Sequence, residues 1–130
     1  TYASKLLKIT VDVPKGYKVK EGSGSILLEK KETKDQIKIS MSGTNYDTSQ
    51  EYLTDLAAKN NIEFTDQEAI NTRYNLEGVR LIIKHKISNT PNTKSYYFYP
   101  EPWTIYSIST NKPELYQDLD QIAQSFRYEP

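Results

Sequence analysis

The sequence of 130 residues contains no cysteine and only one histidine, one methionine and one tryptophan. The absence of cysteine excludes disulfides, thiolate nucleophiles and Cys-based zinc sites. No stretch approaches the ~18 consecutive apolar residues of a membrane span, so we expect no membrane insertion. The 17 basic and 17 acidic residues give no formal net charge. No long-range field therefore steers the chain toward a polyanion, and nucleic acid is not an expected partner.

Catalytic motifs are also missing. Histidine is the residue type that most readily changes charge near neutral pH, so His85 is the candidate for acid–base chemistry in a small hydrolase-like enzyme. Its neighbours place it on the apolar face of a strand, and no matched nucleophile or metal-ligand set accompanies it. The spacings of a calcium loop and of a glycine-rich phosphate loop are absent. We predict no catalytic, metal or cofactor site and expect that the protein is not an enzyme.

Alternating hydrophobic residues predict a protein rich in β-strands. The clearest strand is predicted over residues 79–87, where Val79, Leu81, Ile83 and His85 share a face with Ile87. We expect this strand to be central in a sheet. Further strands are predicted at residues 5–13, 25–30, 36–42, 62–64, 69–74, 95–99 and 103–109.

Two helices are predicted between and after these strands. The run from Thr48 to Glu51 has the spacing of a capping box and indicates a helix that ends near Lys59. A second helix, over residues 113–126, carries an apolar stripe that should dock on the sheet. The stripe consists of Leu119, Ile122 and Phe126. The pattern predicts one α+β domain over residues 1–130, with an antiparallel sheet flanked by helices.

Four stretches carry a resemblance to a known family. They are residues 9–17, 48–53, 76–80 and 122–127, which hold the first strand and its Pro-Lys-Gly-Tyr end, the capped helix, a turn and strand, and the last helix. In their order they resemble the PsbP-like, or Mog1/PsbP, family of α/β/α sandwich domains. The resemblance covers nearly the whole chain.

The resemblance implies a non-catalytic binding or accessory module. Similar domains are typically extracytoplasmic, as lumenal photosystem subunits, assembly factors, bacterial lipoproteins or surface-attached modules. We therefore expect an exported protein, which could be periplasmic, lumenal or surface-attached, or the terminal domain of a longer chain. The alternative is a cytoplasmic protein that binds a partner as Mog1-type members bind a small GTPase.

Aromatic residues are the feature that stands out, with 11 Tyr, three Phe and one Trp in the chain. Several of them flank Pro100 and Pro102, in a segment with the length of a hairpin loop. Alternation places Tyr97, Tyr99 and Trp103 on one face. These three form the predicted interaction surface for an unidentified protein partner or small ligand. The alternative is that these aromatics fill cross-strand pairs in the core.

Overall fold

The computed structural model describes residues 1–86 and 89–130, which form ten strands, two α-helices and a short 3₁₀ helix. The strands are β1 (Tyr2–Ser4), β2 (Ile9–Val11), β3 (Tyr17–Glu21), β4 (Ser25–Lys30), β5 (Gln36–Gly43), β6 (Ile62–Asn71), β7 (Glu77–His85), β8 (Thr93–Glu101), β9 (Thr104–Thr110) and β10 (Arg127–Tyr128). The helices are α1 (Ser49–Asn60), the 3₁₀ helix (Pro113–Leu115) and α2 (Tyr116–Gln124).

Seven strands form the main sheet in the order β3-β4-β5-β9-β8-β7-β6, and every neighbouring pair is antiparallel. A small sheet of β1, β2 and β10 is also antiparallel. The predicted α+β class with an antiparallel sheet is confirmed. The prediction that the strand of residues 79–87 is central is wrong, because β7 is second from the edge and β9 is central. Alternation reports which face of a strand is buried and not its position in the sheet. Ile87 lies outside the described residues.

The first predicted strand is interrupted. Residues 5–8 form a turn that separates β1 from β2, and the two short strands pair with each other. Lys8 takes a positive φ of 61°, and the Leu7 N–H donates to Ser4 Oγ at 3.0 Å within the turn. In contrast, the predicted strand at 62–64 and the first part of the one at 69–74 belong to one strand, β6, with an irregularity between Thr65 and Glu68. β6 ends at Asn71, and residues 72–74 lie in the turn that follows it, so the predicted strand end at residue 74 is wrong.

One face of the main sheet packs against α2. Leu119 and Ile122 are fully buried there, and Phe126 follows just after the helix, with its ring 4.6 Å from that of Phe98. The predicted docking of this stripe is confirmed, although the helix itself ends at Gln124. The small sheet is tied to the same core, since the Tyr106 hydroxyl donates to the Leu7 carbonyl at 2.6 Å.

The opposite face packs against α1, which contacts β6 and β8. Thr48 caps the helix by accepting a hydrogen bond from the Glu51 N–H, as the capping box predicts. Leu53 is the fully buried residue of α1 and packs with Leu81 and Ile105 of the sheet. The helix therefore covers β6 and β8 on this face. One side of α1 lies beside the connection that follows β5 and the turn between β8 and β9.

Candidate functional site

The turn between β8 and β9 contains only Pro102 and Trp103, because Glu101 and Thr104 already pair in the ladder. Trp103 has a φ of +68° and is 55% exposed. Proline followed by a residue with positive φ is typical of a type II turn, in which glycine is the favoured second residue. A left-handed backbone costs a residue with a Cβ about 1–2 kcal/mol. The tryptophan therefore occupies a position that turn formation alone would give to glycine.

Hydrogen bonds hold this turn on both sides. The Trp103 N–H donates to the Tyr99 hydroxyl at 2.9 Å, and the Thr44 N–H donates to the Trp103 carbonyl at 3.0 Å. The Tyr99 hydroxyl in turn donates to the Tyr46 carbonyl at 2.6 Å. Tyr99 thus links the Trp103 turn to the connection between β5 and α1. The backbone that presents the indole is fixed although the side chain is exposed.

A groove of about 630 Å³ opens beside this turn, and we call it the aromatic groove. Three aromatic side chains contribute to it from three segments: Trp103 from the turn, Tyr46 from the β5–α1 connection and Tyr52 from α1. Tyr97 lies against Tyr52, with ring centroids 6.2 Å apart, and is only 7% exposed. The complete lining is Gly43, Thr44, Asn45, Tyr46, Tyr52, Asp55, Lys59 and Trp103.

The charged groups of the aromatic groove neutralise each other. Asp55 and Lys59 form an ion pair one helical turn apart, with Oδ2 and Nζ separated by 3.0 Å. Desolvation and a hydrogen bond to Asp55 raise the pKa of Tyr46, so its hydroxyl is protonated at neutral pH. The pKa of Lys59 is raised by the same carboxylate, so its ammonium group stays charged. The groove therefore combines aromatic surface with one internally balanced ion pair.

The three residues of the predicted interaction surface occupy different positions around the groove. Trp103 stands exposed at its rim, Tyr99 is half-buried and holds the turn, and Tyr97 is buried beneath Tyr52. Tyr99 does not face Trp103 across the ladder, because the register shifts between Phe98 and Glu101. Tyr46, Tyr52, Asp55 and Lys59 were not predicted. They lie more than forty residues before Trp103 in the chain, and their contact arises only through the fold.

Comparison with known proteins supports the fold. No family model matches the chain, and no curated protein matches it. Among solved structures, the solution structure of cyanobacterial PsbP (CyanoP) from Synechocystis sp. PCC 6803 is similar, with a TM-score of 0.64. The similarity covers 98% of this chain and 90% of that chain at 10% sequence identity. The fold is PsbP-like. The expected α/β/α arrangement is confirmed, whereas identity this low carries no function across.

On this PsbP-like fold, His85 is the last residue of β7 and pairs with Ile62 of the edge strand β6. Its side chain is half-buried and makes no hydrogen bond or ion pair within the part of the chain that the structure describes. Residues 1–86 and 89–130 contain no cluster of three His, Asp or Glu side chains that could hold a metal ion. The described helices include none that is long and apolar enough to cross a membrane.

Proposed function

We propose that residues 1–130 form one PsbP-like domain that acts as a non-catalytic binding or accessory module, and that it recognises a protein partner through Trp103 and the aromatic groove. The observation that carries the proposal is the exposed indole of Trp103 on a left-handed backbone. Strained backbone positions persist where the surrounding structure holds them, and they cluster at functional sites. Lys8 and Lys34 also have a positive φ, so what distinguishes Trp103 is the combination of this backbone with an exposed indole beside the aromatic groove. The residue on this backbone is the single tryptophan of the chain, and its side chain is exposed to solvent.

The geometry also favours binding energetically. Tryptophan is among the residues most enriched at interface hot spots, where truncation to alanine costs about 2 kcal/mol or more of binding free energy. The hydrogen bond from the Trp103 N–H to the Tyr99 hydroxyl and the one from the Thr44 N–H to the Trp103 carbonyl hold the backbone of Trp103 before any partner arrives. A partner therefore meets a preorganised anchor, and less conformational entropy is lost on association than with a flexible loop.

The proposal includes a place of action outside the cytoplasm, with the domain exported or forming the terminal part of a longer chain. Its support is the family resemblance described above. A cytoplasmic partner-binding protein of the Mog1 kind is the alternative, and a reporter fused to the protein expressed from its complete gene separates the two by its compartment. The enzyme alternative depends on His85, and substitution of that histidine should leave partner binding unchanged.

Quantitative capture from an extract of the source cells tests the proposal. Wild-type protein and the Trp103→Gly variant are immobilised, and bound proteins are measured by mass spectrometry. Glycine is chosen because it accepts the left-handed backbone and preserves the turn. Tyr74→Ser serves as the matched control, since Tyr74 is another exposed aromatic residue, at 51%. We expect specific partners to bind wild type and Tyr74→Ser but not Trp103→Gly. Identical captured sets for all three proteins would contradict the proposal.

A further inference from the structure

We infer that the aromatic groove binds a proline-containing peptide segment in the extended polyproline II conformation. This inference rests on the proposed function, because it names the chemistry of the partner at the same site. Aromatic-lined grooves are the surfaces on which polyproline II segments dock, and the preformed helix loses little entropy when it binds. Trp103, Tyr46 and Tyr52 contribute aromatic lining from three segments of the chain to one groove of about 630 Å³.

The charge of the groove favours a neutral ligand. Its only charged residues are Asp55 and Lys59, and these pair with each other at 3.0 Å. A strongly acidic or basic segment would therefore meet no net charge of opposite sign in the groove. Prolines carry no charge, and their rings present apolar surface to the aromatic side chains. The attraction therefore comes from aromatic contact and a few hydrogen bonds.

The hydrogen-bonding groups of the groove suit a polyproline II backbone. Such a backbone has no internal hydrogen bonds, so its carbonyls are free to accept, while each proline lacks an N–H and requires no acceptor. The indole N–H of Trp103 is a donor only, and the amide of Asn45 also supplies donors. Neither side chain makes a hydrogen bond within the described residues, 1–86 and 89–130. The groove thus offers unused donors to a ligand that supplies acceptors.

Fluorescence titration provides the test. The only tryptophan of the chain lies at the groove, so a peptide without aromatic residues can be followed by the emission of Trp103. The probe is a blocked oligoproline of about ten residues, and a Gly-Ser peptide of equal length is the control. We expect a saturable spectral change with the oligoproline alone, and affinity at least about ten-fold lower in Tyr46→Ser. Tyr52→Ser should weaken binding similarly and serves if Tyr46→Ser folds poorly.

Several results would overturn the inference. They are the absence of saturable change at peptide concentrations up to about 1 mM, an equal change with the Gly-Ser peptide, or an affinity that neither variant lowers. If the oligoproline fails while Trp103-dependent capture of a partner persists, only the assignment of the ligand is lost. If capture is also independent of Trp103, the proposed function is lost with it.

Discussion

Replacing Trp103 with glycine and with alanine separates the strain of the turn from the contacts of the indole. Both variants lose the indole, so the loss of its packing cancels when they are compared. Alanine keeps a Cβ on a backbone with a φ of +68°, which costs about 1–2 kcal/mol. Glycine avoids that cost but loses about 0.5–1 kcal/mol of chain entropy relative to alanine. We therefore expect Trp103→Gly to be more stable than Trp103→Ala by roughly 0.5–1 kcal/mol.

The assay is equilibrium unfolding in urea followed by circular dichroism, because both variants lack the tryptophan signal. The control pair is Asp47→Gly and Asp47→Ala, since Asp47 is exposed and has no positive φ. There the alanine variant should be the more stable one, because no strain offsets the entropy lost by glycine. If Trp103→Ala equals or exceeds Trp103→Gly in unfolding free energy, Trp103 is not held in a left-handed conformation in solution, and the strain argument is refuted.

Four further predictions concern the core and His85. Phe126→Ala should lower the unfolding free energy by about 3–5 kcal/mol, because the ring is fully buried against Phe98; an unchanged melting temperature would contradict this. Gly78→Ala should cost about 1–3 kcal/mol in urea unfolding, since its Cβ would approach the Phe98 ring to 2.5 Å. Burial raises the pKa of Tyr106 to about 12, so the stability it contributes is complete below about pH 10, the ordinary pKa of tyrosine, and is lost as the pH rises through 12. Tyr106→Phe should make that alkaline loss, followed by circular dichroism, less steep. His85→Gln should leave the capture of partners unchanged, and a selective loss of capture at unchanged stability would revive a functional role for this histidine.

Local patterns predicted the parts of the fold that depend on local physics. The capping box at Thr48 marks the start of α1, and the apolar stripe on α2 marks the side of that helix that is buried. The structure has both features. The turn at Lys8 was not predicted, and the position of β7 in the sheet was predicted wrongly. A hairpin of two short strands shows the same alternation as one long strand, and a positive φ at lysine leaves no compositional signal. Strand order depends on long-range pairing, which alternation does not report.

The site was predicted only where its residues are close in sequence. Trp103 and Tyr99 were selected because the two prolines marked a hairpin loop, and the structure brings both to the same turn. The wall formed by Tyr46 and Tyr52 depends on how the β5–α1 connection folds against that turn. No spacing in the sequence reports this contact. The left-handed backbone of Trp103, the strongest indication of a role in binding, is likewise visible only in three dimensions.

Iodide quenching of the single tryptophan tests whether Trp103 is the exposed anchor of a binding surface. Fluorescence of the free protein is measured first, and the measurement is repeated with a purified partner obtained by capture. Because Trp103 is 55% exposed, we expect emission typical of a solvent-exposed indole that iodide quenches readily. In the complex we expect the indole to be protected from iodide. Shielding already in the free protein, or unchanged quenching in the complex, would contradict the claim that Trp103 is the exposed anchor of this binding surface.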